Sequence, residues 1–247
     1  MPLKRLLVAV SFLTRVPVPI SAIGADDLGQ AALFFPVVGA LLGGAVVLGQ
    51  VACSPLLPAP LCAVVLVGIG VIGTGALHLD GLADMADGFG GGRTREDVLR
   101  IMRDHAVGAF GVIALVLLLA TKITATQALL DERQGSSVLL LAPVLGRWAI
   151  VPVGYFCAYA RPSGGLGAAF TGHVGKFEVV GATLLTGLGA GALLGLRGLL
   201  LTFAVAAAAS LLGWICVRRI GGVTGDTLGA TIEACETLTL VLGVATR

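Results

Sequence analysis

Three carboxylates, Asp80, Asp84 and Asp87, fall at i, i+4 and i+7 within His78-Leu79-Asp80-Gly81-Leu82-Ala83-Asp84-Met85-Ala86-Asp87-Gly88. That spacing puts them on one face of a helix. Like charges so close repel one another and call for a counter-charge. The simplest is a divalent cation with oxygen ligands, and Mg2+ bridging a phosphate is the usual case. Asp104 is placed to face the cluster across the intervening loop, where it can complete a two-metal site or take a proton from an attacking hydroxyl. The expected metal set is therefore Asp80, Asp84, Asp87 and Asp104. Asp84, Asp87 and Asp104 are the candidates for catalysis.

The chain continues as Gly88-Phe89-Gly90-Gly91-Gly92-Arg93-Thr94-Arg95. Glycines let the backbone approach a ligand closely, and arginines grip phosphate. Arg93, Arg95, Arg100 and Arg103 are thus candidate substrate contacts. Asp97, Arg100 and Asp104 share one predicted helical face. Arg100 also has a plain reading, a pair with Glu96 or Asp104 worth a few tenths of a kcal/mol. A second segment, Gly221-Gly222-Val223-Thr224-Gly225-Asp226, offers backbone N–H groups and a hydroxyl around one acid, a cradle for phosphate or nucleoside built on Thr224 and Asp226. Glu233 and Glu236 follow at helical spacing, as ligands or as interfacial acids. Arg147 and Lys122 fall inside apolar runs, where charge marks a functional site by default; Lys122, with threonines nearby, reads equally as structural, and Arg147 is the better phosphate contact. His78 and His105 border the acidic stretch, but Mg2+ prefers oxygen. His173 reads as a surface residue.

These residues must be held by helices in a membrane. Of the 247 residues 57% are hydrophobic and only 12% charged, and the mean hydropathy is +1.00. A soluble chain carries roughly a quarter charged residues. The fold class is an all-α polytopic membrane bundle forming one domain over 1–247. A net charge of +2 is too small to suggest nucleic acid as a partner. Apolar runs at 31–52, 60–78, 107–130, 136–159, 178–196 and 198–217 each approach the roughly 20 residues that cross a bilayer. The tail 237–246 is apolar but short, a half-span or the end of a helix started near Thr231, so six spans are expected, with seven as the alternative. Residues 4–14 read as a short interfacial helix rather than a cleavable leader, broken by Arg15-Val16-Pro17-Val18-Pro19. Gly39 and Gly43 form a small-xxx-small helix contact. The five cysteines show no CxxC spacing and read as scattered small apolar residues. A disulfide between Cys53 and Cys62, which flank one loop, is not expected.

Lys and Arg placement gives an orientation. With the N-terminus inside, Lys4, Arg5, Arg15, Arg93, Arg95, Arg100, Arg103, Arg161, Lys176, Arg218 and Arg219 are inside, against Arg133 and Arg197 outside. Loops at 79–106, 160–177 and 218–236, which hold most of the candidate chemistry, then face the cytoplasm.

Four separated motifs carry a resemblance. Phe12-Leu13-Thr14-Arg15-Val16-Pro17-Val18-Pro19, Phe35-Pro36-Val37-Val38-Gly39, the His78–Gly88 stretch and Gly222-Val223-Thr224-Gly225-Asp226 together resemble the cobalamin 5'-phosphate synthase family, over the whole chain and in order. The resemblance implies an Mg2+-dependent adenosylcobinamide-GDP ribazoletransferase of a bacterial inner membrane. A ribose hydroxyl of α-ribazole or its 5'-phosphate would attack the phosphoryl group on the cobinamide arm, and GMP would leave. Partners would be these substrates and the lipid bilayer, with a homo-oligomer or association with other late cobalamin enzymes as further options. A CDP-alcohol phosphotransferase shares the acidic theme, but the Asp-x3-Asp-x2-Asp-Gly spacing here departs from that family's pattern. A cation transporter is the alternative from another class, although its acids would belong near the bilayer midplane.

Overall fold

A bilayer core offers the backbone no hydrogen-bond partners, so each long apolar run must satisfy its own N–H and C=O groups as a helix. A computed structural model describes residues 2–19 and 24–246. The helices are α1 (Pro2–Leu13), α2 (Ala25–Ala31), α3 (Phe35–Cys53), α4 (Ala59–Thr74), α5 (Leu77–Gly91), α6 (Arg95–Ile101), α7 (Ala109–Leu130), α8 (Gly135–Phe156), α9 (Leu166–His173), α10 (Lys176–Leu194), α11 (Leu196–Ile220) and α12 (Gly225–Ala245). The described residues form no strand, only one isolated bridge between Tyr159 and Val223. Six helical stretches, Asp26–Cys53, α7, α8, α10, α11 and α12, are long and apolar enough to cross a membrane. Their outward faces carry large apolar side chains such as Val116, Leu117, Leu188 and Phe203. So much exposed apolar surface suits lipid rather than water. The chain is a multi-pass helical membrane protein.

Six helices pass on their own, and the bent pair of α4 and α5 makes a seventh where it counts as one span, so both expected counts stand while the membership differs. The run at 60–78 breaks at Gly75 (φ 60) and Ala76 (φ 59), both left-handed, and α5 leaves at 89° to α4. Glycine takes this conformation freely, whereas Ala76 costs about 1–2 kcal/mol. The corner is braced by Arg15, whose backbone N–H donates to the Gly73 carbonyl at 3.1 Å. A Cβ on Gly75 would collide with the Arg15 side chain. At the other end of the chain, the apolar tail 237–246 is only the second half of α12. That helix is largely interior, so its first half can carry Thr and Glu without facing lipid.

The most buried spanning helix is α8. α3 packs on it through Gly39 and Gly43, where a Cβ would strike the backbone at Pro143–Val144 and at Leu140. This is the small-residue contact the spacing predicted. The starts of α7 and α12 and the end of α11 gather at one end of the bundle. α5 lies across that end, at 89° to α4, and Arg219 at the end of α11 donates to the carbonyls of Phe89 (3.2 Å) and Gly92 (2.6 Å) at its C-terminus. α1 packs at this end as well, where Phe12, Phe35 and Phe170 stack with centroids 5.3–5.7 Å apart. At the opposite end a disulfide joins Cys53 to Cys62 across the α3–α4 turn, contrary to the expectation of free thiols there.

Candidate active site

α5 displays its three acids on one face, as their period requires, but their surroundings differ. Asp87 is buried. Its carboxylate accepts the Gly108 N–H at 2.7 Å and the Gly111 N–H at 2.8 Å. These are free N–H groups in the first turn of α7, so Asp87 caps that helix and meets its positive dipole end. A Cβ at Gly108 or Gly111 would press into the carboxylate, which is why both positions are glycine. Asp87 is thereby committed to α7 rather than to the acid cluster.

Asp80 and Asp84, one turn apart, meet Asp226 in the first turn of α12. α5 crosses α12 so closely that a Cβ on Gly81 would lie 2.7 Å from the Asp226 carbonyl oxygen. Asp84 is half-buried, and its carboxyl is pushed from 3.8 up to about 6. Burial is the main cause; the charges of Asp226 and Asp80 add to it, Arg161 opposes it, and Asp87 contributes least. The crowding inferred from spacing is present, but its third member is Asp226 rather than Asp87.

Arg161 was not among the expected site residues. Its Nη2 donates to Asp226 Oδ2 at 2.6 Å and to the Met102 carbonyl at 3.2 Å. It sits in the segment between α8 and α9. That segment pairs with the one before α12 through Ala160 N–H to Val223 O and Val223 N–H to Ala158 O, both 2.8 Å. Gly222 permits this approach, because a Cβ there would strike the Ala158 carbonyl. A lone loop arginine has no periodicity to betray it, and its partner is 65 residues away. The only signal was its place in a basic loop on the predicted inner side.

The other expected residues divide. Arg95 at the start of α6 donates to the Ala160 carbonyl at 2.9 Å and Arg103, just past its end, to Ser163 Oγ at 2.7 Å, so both brace the Arg161 segment. Gly88, Gly90 and Gly91 are helical at the end of α5 rather than in a loop, and Arg93 is exposed in the short link to α6. Arg100 is exposed and lies 3.8 Å from Asp97, not beside Glu96 or Asp104. Thr224 is fully buried as the N-cap of α12, where it exchanges hydrogen bonds with Thr227, and its hydroxyl also donates to Asp226 Oδ2 at 3.4 Å. α6 ends at Ile101, which takes Asp104 off the expected face; it lies on an exposed turn and accepts the Ala106 N–H at 3.1 Å. His105 shares that exposed turn, and His173 pairs with Asp26 at 3.2 Å on the surface. Arg147 is inside the bundle, ion-paired with Glu236. Beside it Lys122 holds Glu233 at 2.5 Å and Glu236 at 2.7 Å. The two glutamates therefore belong to α12's buried face rather than to a loop.

Among the described residues no three His, Cys, Asp or Glu side chains form a ready-made metal cage. Mg2+ does not need one, since it takes one or two carboxylates and completes its shell with waters and phosphate oxygens. Asp80 and Asp226, which crowd the half-buried Asp84, fit that habit. Asp87 and Asp104 do not join them. The acids lie at the bundle's end rather than mid-span, unlike the ion site of a transporter.

Fold and site together define a multi-pass helical membrane protein with an acidic, arginine-braced site at one end of its bundle. The family model for cobalamin-5-phosphate synthase matches residues 5–244, and the chain belongs to that family. It is 39% identical over 236 residues to an adenosylcobinamide-GDP ribazoletransferase of Syntrophobacter fumaroxidans, covering 94% of each chain. It is 42% identical over 246 residues to one of Pseudomonas fluorescens, covering 96% of this chain and 97% of the relative. No solved structure matches it.

Proposed function

We propose that this protein joins adenosylcobinamide-GDP to α-ribazole or its 5'-phosphate, releasing GMP. The observation that carries the reading is Asp84, raised to about 6 between Asp226 and Asp80 at the bundle's end. Asp84 lies beside both of these acids, where it is placed to accept a proton from a ribose hydroxyl. The hydroxyl oxygen forms the new bond to the phosphorus on the cobinamide arm. The bond from that phosphorus to the GMP oxygen breaks, and the hydroxyl proton passes to Asp84. Asp80 and Asp226 would hold Mg2+, which when bound supplies neutralisation of the pyrophosphate charge. The exposed Arg93, and Arg100 beside Asp97, stand at the rim, where they would meet nucleotide phosphates. Asp87 and Asp104 drop out as bases, because the first caps α7 and the second turns back on its own loop.

The site faces the cytoplasm of a bacterial inner membrane in this reading. Two observations support that side. Lys and Arg concentrate at the site's end. The Cys53–Cys62 disulfide lies at the other end, where an oxidising compartment would preserve it.

The test is GMP release by the purified protein in nanodiscs, supplied with adenosylcobinamide-GDP, α-ribazole 5'-phosphate and Mg2+. Release that requires both substrates and the cation is expected. Silence with these substrates, together with CMP release from a CDP-alcohol, would overturn the proposal.

A further inference from the structure

We infer that Arg161 is a resident counter-ion, holding Asp226 in the ligand-free protein and passing to substrate phosphate when a divalent cation takes its place. The inference rests on the transferase reading above, but its cation arm stands without it. Arg161 is the one basic side chain ion-paired with Asp80, Asp84 or Asp226 among the described residues. It occupies Asp226 Oδ2 at 2.6 Å, an oxygen that would otherwise be offered to a cation. Two positive charges cannot share that oxygen at contact distance without strong repulsion.

The guanidinium is also under-used. Both of its hydrogen bonds come from Nη2; Nε is buried without a partner and Nη1 has none in the described residues. A group with five donors and a planar fork is matched to a phosphoryl group, which accepts several at once. Arg95 and Arg103 grip Ala160 and Ser163 on either side, so the backbone is anchored while the side chain between them is held only by its two acceptors.

A brace and a counter-ion predict opposite signs in a binding experiment. The full-length protein in nanodiscs is titrated with Mn2+ alone, followed by electron paramagnetic resonance, and separately with GDP at saturating Mg2+. Arg161→Gln removes the competing charge, so Mn2+ should bind about three- to tenfold more tightly. The same change removes a phosphate contact, so GDP should bind about tenfold more weakly. Arg161→Lys keeps the charge but not the fork; its Mn2+ affinity should stay within about twofold while GDP weakens by about threefold or more. If Arg161→Gln weakens both ligands, or leaves Mn2+ unchanged, Arg161 is only a brace and the inference fails. If Arg161→Gln does not fold, the lysine variant decides alone, and parallel losses or no loss of GDP binding reject it. Absence of transferase activity in the unaltered protein would instead reject the reaction, leaving the Mn2+ comparison to judge the counter-ion.

Discussion

Two groups of charge in this bundle invite comparison. In the interior, Lys122, Arg147, Glu233 and Glu236 bring two positive and two negative charges together from α7, α8 and α12. At the end, Asp80, Asp84 and Asp226 meet one arginine. The interior group balances its charge with protein alone, which is the condition for leaving ions in a low-dielectric interior. The group at the end does not. It keeps an excess of negative charge on packed backbone, where α5 and α12 could not approach without Gly81. A sequence shows both simply as acids and bases in apolar surroundings. Their pairing separates a structural role from a functional one.

The largest effects should divide along that line. Asp84→Asn should lower GMP release by about 1,000-fold, the scale of a lost general base, while the protein still inserts. Near-normal turnover would remove Asp84 from the mechanism. Lys122→Met should instead cost about 3–5 kcal/mol in stability, because it strands the buried Glu233 and leaves Glu236 with Arg147 alone. Thermal unfolding in detergent reads this directly, and an unchanged transition would mean that the interior charges are not coupled. Asp87→Ala falls between the two classes. Loss of the α7 cap should cost about 1–2 kcal/mol, with turnover reduced far less than in Asp84→Asn. A loss as deep as that of Asp84→Asn in a stably folded variant would return Asp87 to the chemistry. Arg100→Ala should be mildest: the exposed pair with Asp97 is worth under about 1 kcal/mol, so stability barely moves and any kinetic effect should appear in KM. A drop in kcat at unchanged KM would place Arg100 closer to the reacting atoms than the rim.

How much of this was legible depended on whether the signal was periodic. The helix face of Asp80, Asp84 and Asp87 and the Gly39/Gly43 contact followed from spacing, because both are local and repeat every turn. The direction of α5 was hidden, because the break at Gly75–Ala76 lies inside an unbroken apolar run. α12 was half-seen, since a helix shielded from lipid need not be uniformly apolar. The third acid of the cluster, Asp226, was marked as a substrate contact; only the crossing at Gly81 puts it beside Asp84. Arg147 was flagged correctly as unusual, yet hydropathy cannot name a partner, and Glu236 on another helix claims it. Arg161 was missed for the same reason. Thr224 shows the reverse case, where a residue type suited to phosphate proved suited to an N-cap.

The central claim, that Asp84 is charged against the interests of the fold, can be tested by the pH dependence of stability without divalent cations. A carboxyl whose affinity for protons is raised from 3.8 to about 6 on folding favours the folded state at low pH, and that contribution is lost as pH rises through this window. The unaltered protein should therefore lose stability between about pH 4 and pH 6 relative to Asp84→Asn, and at pH 7 the variant should be at least as stable while inactive. An Asp84→Asn protein that is less stable at pH 7, with no difference in slope between pH 4 and pH 6, would show that the acid serves the fold and would contradict the account.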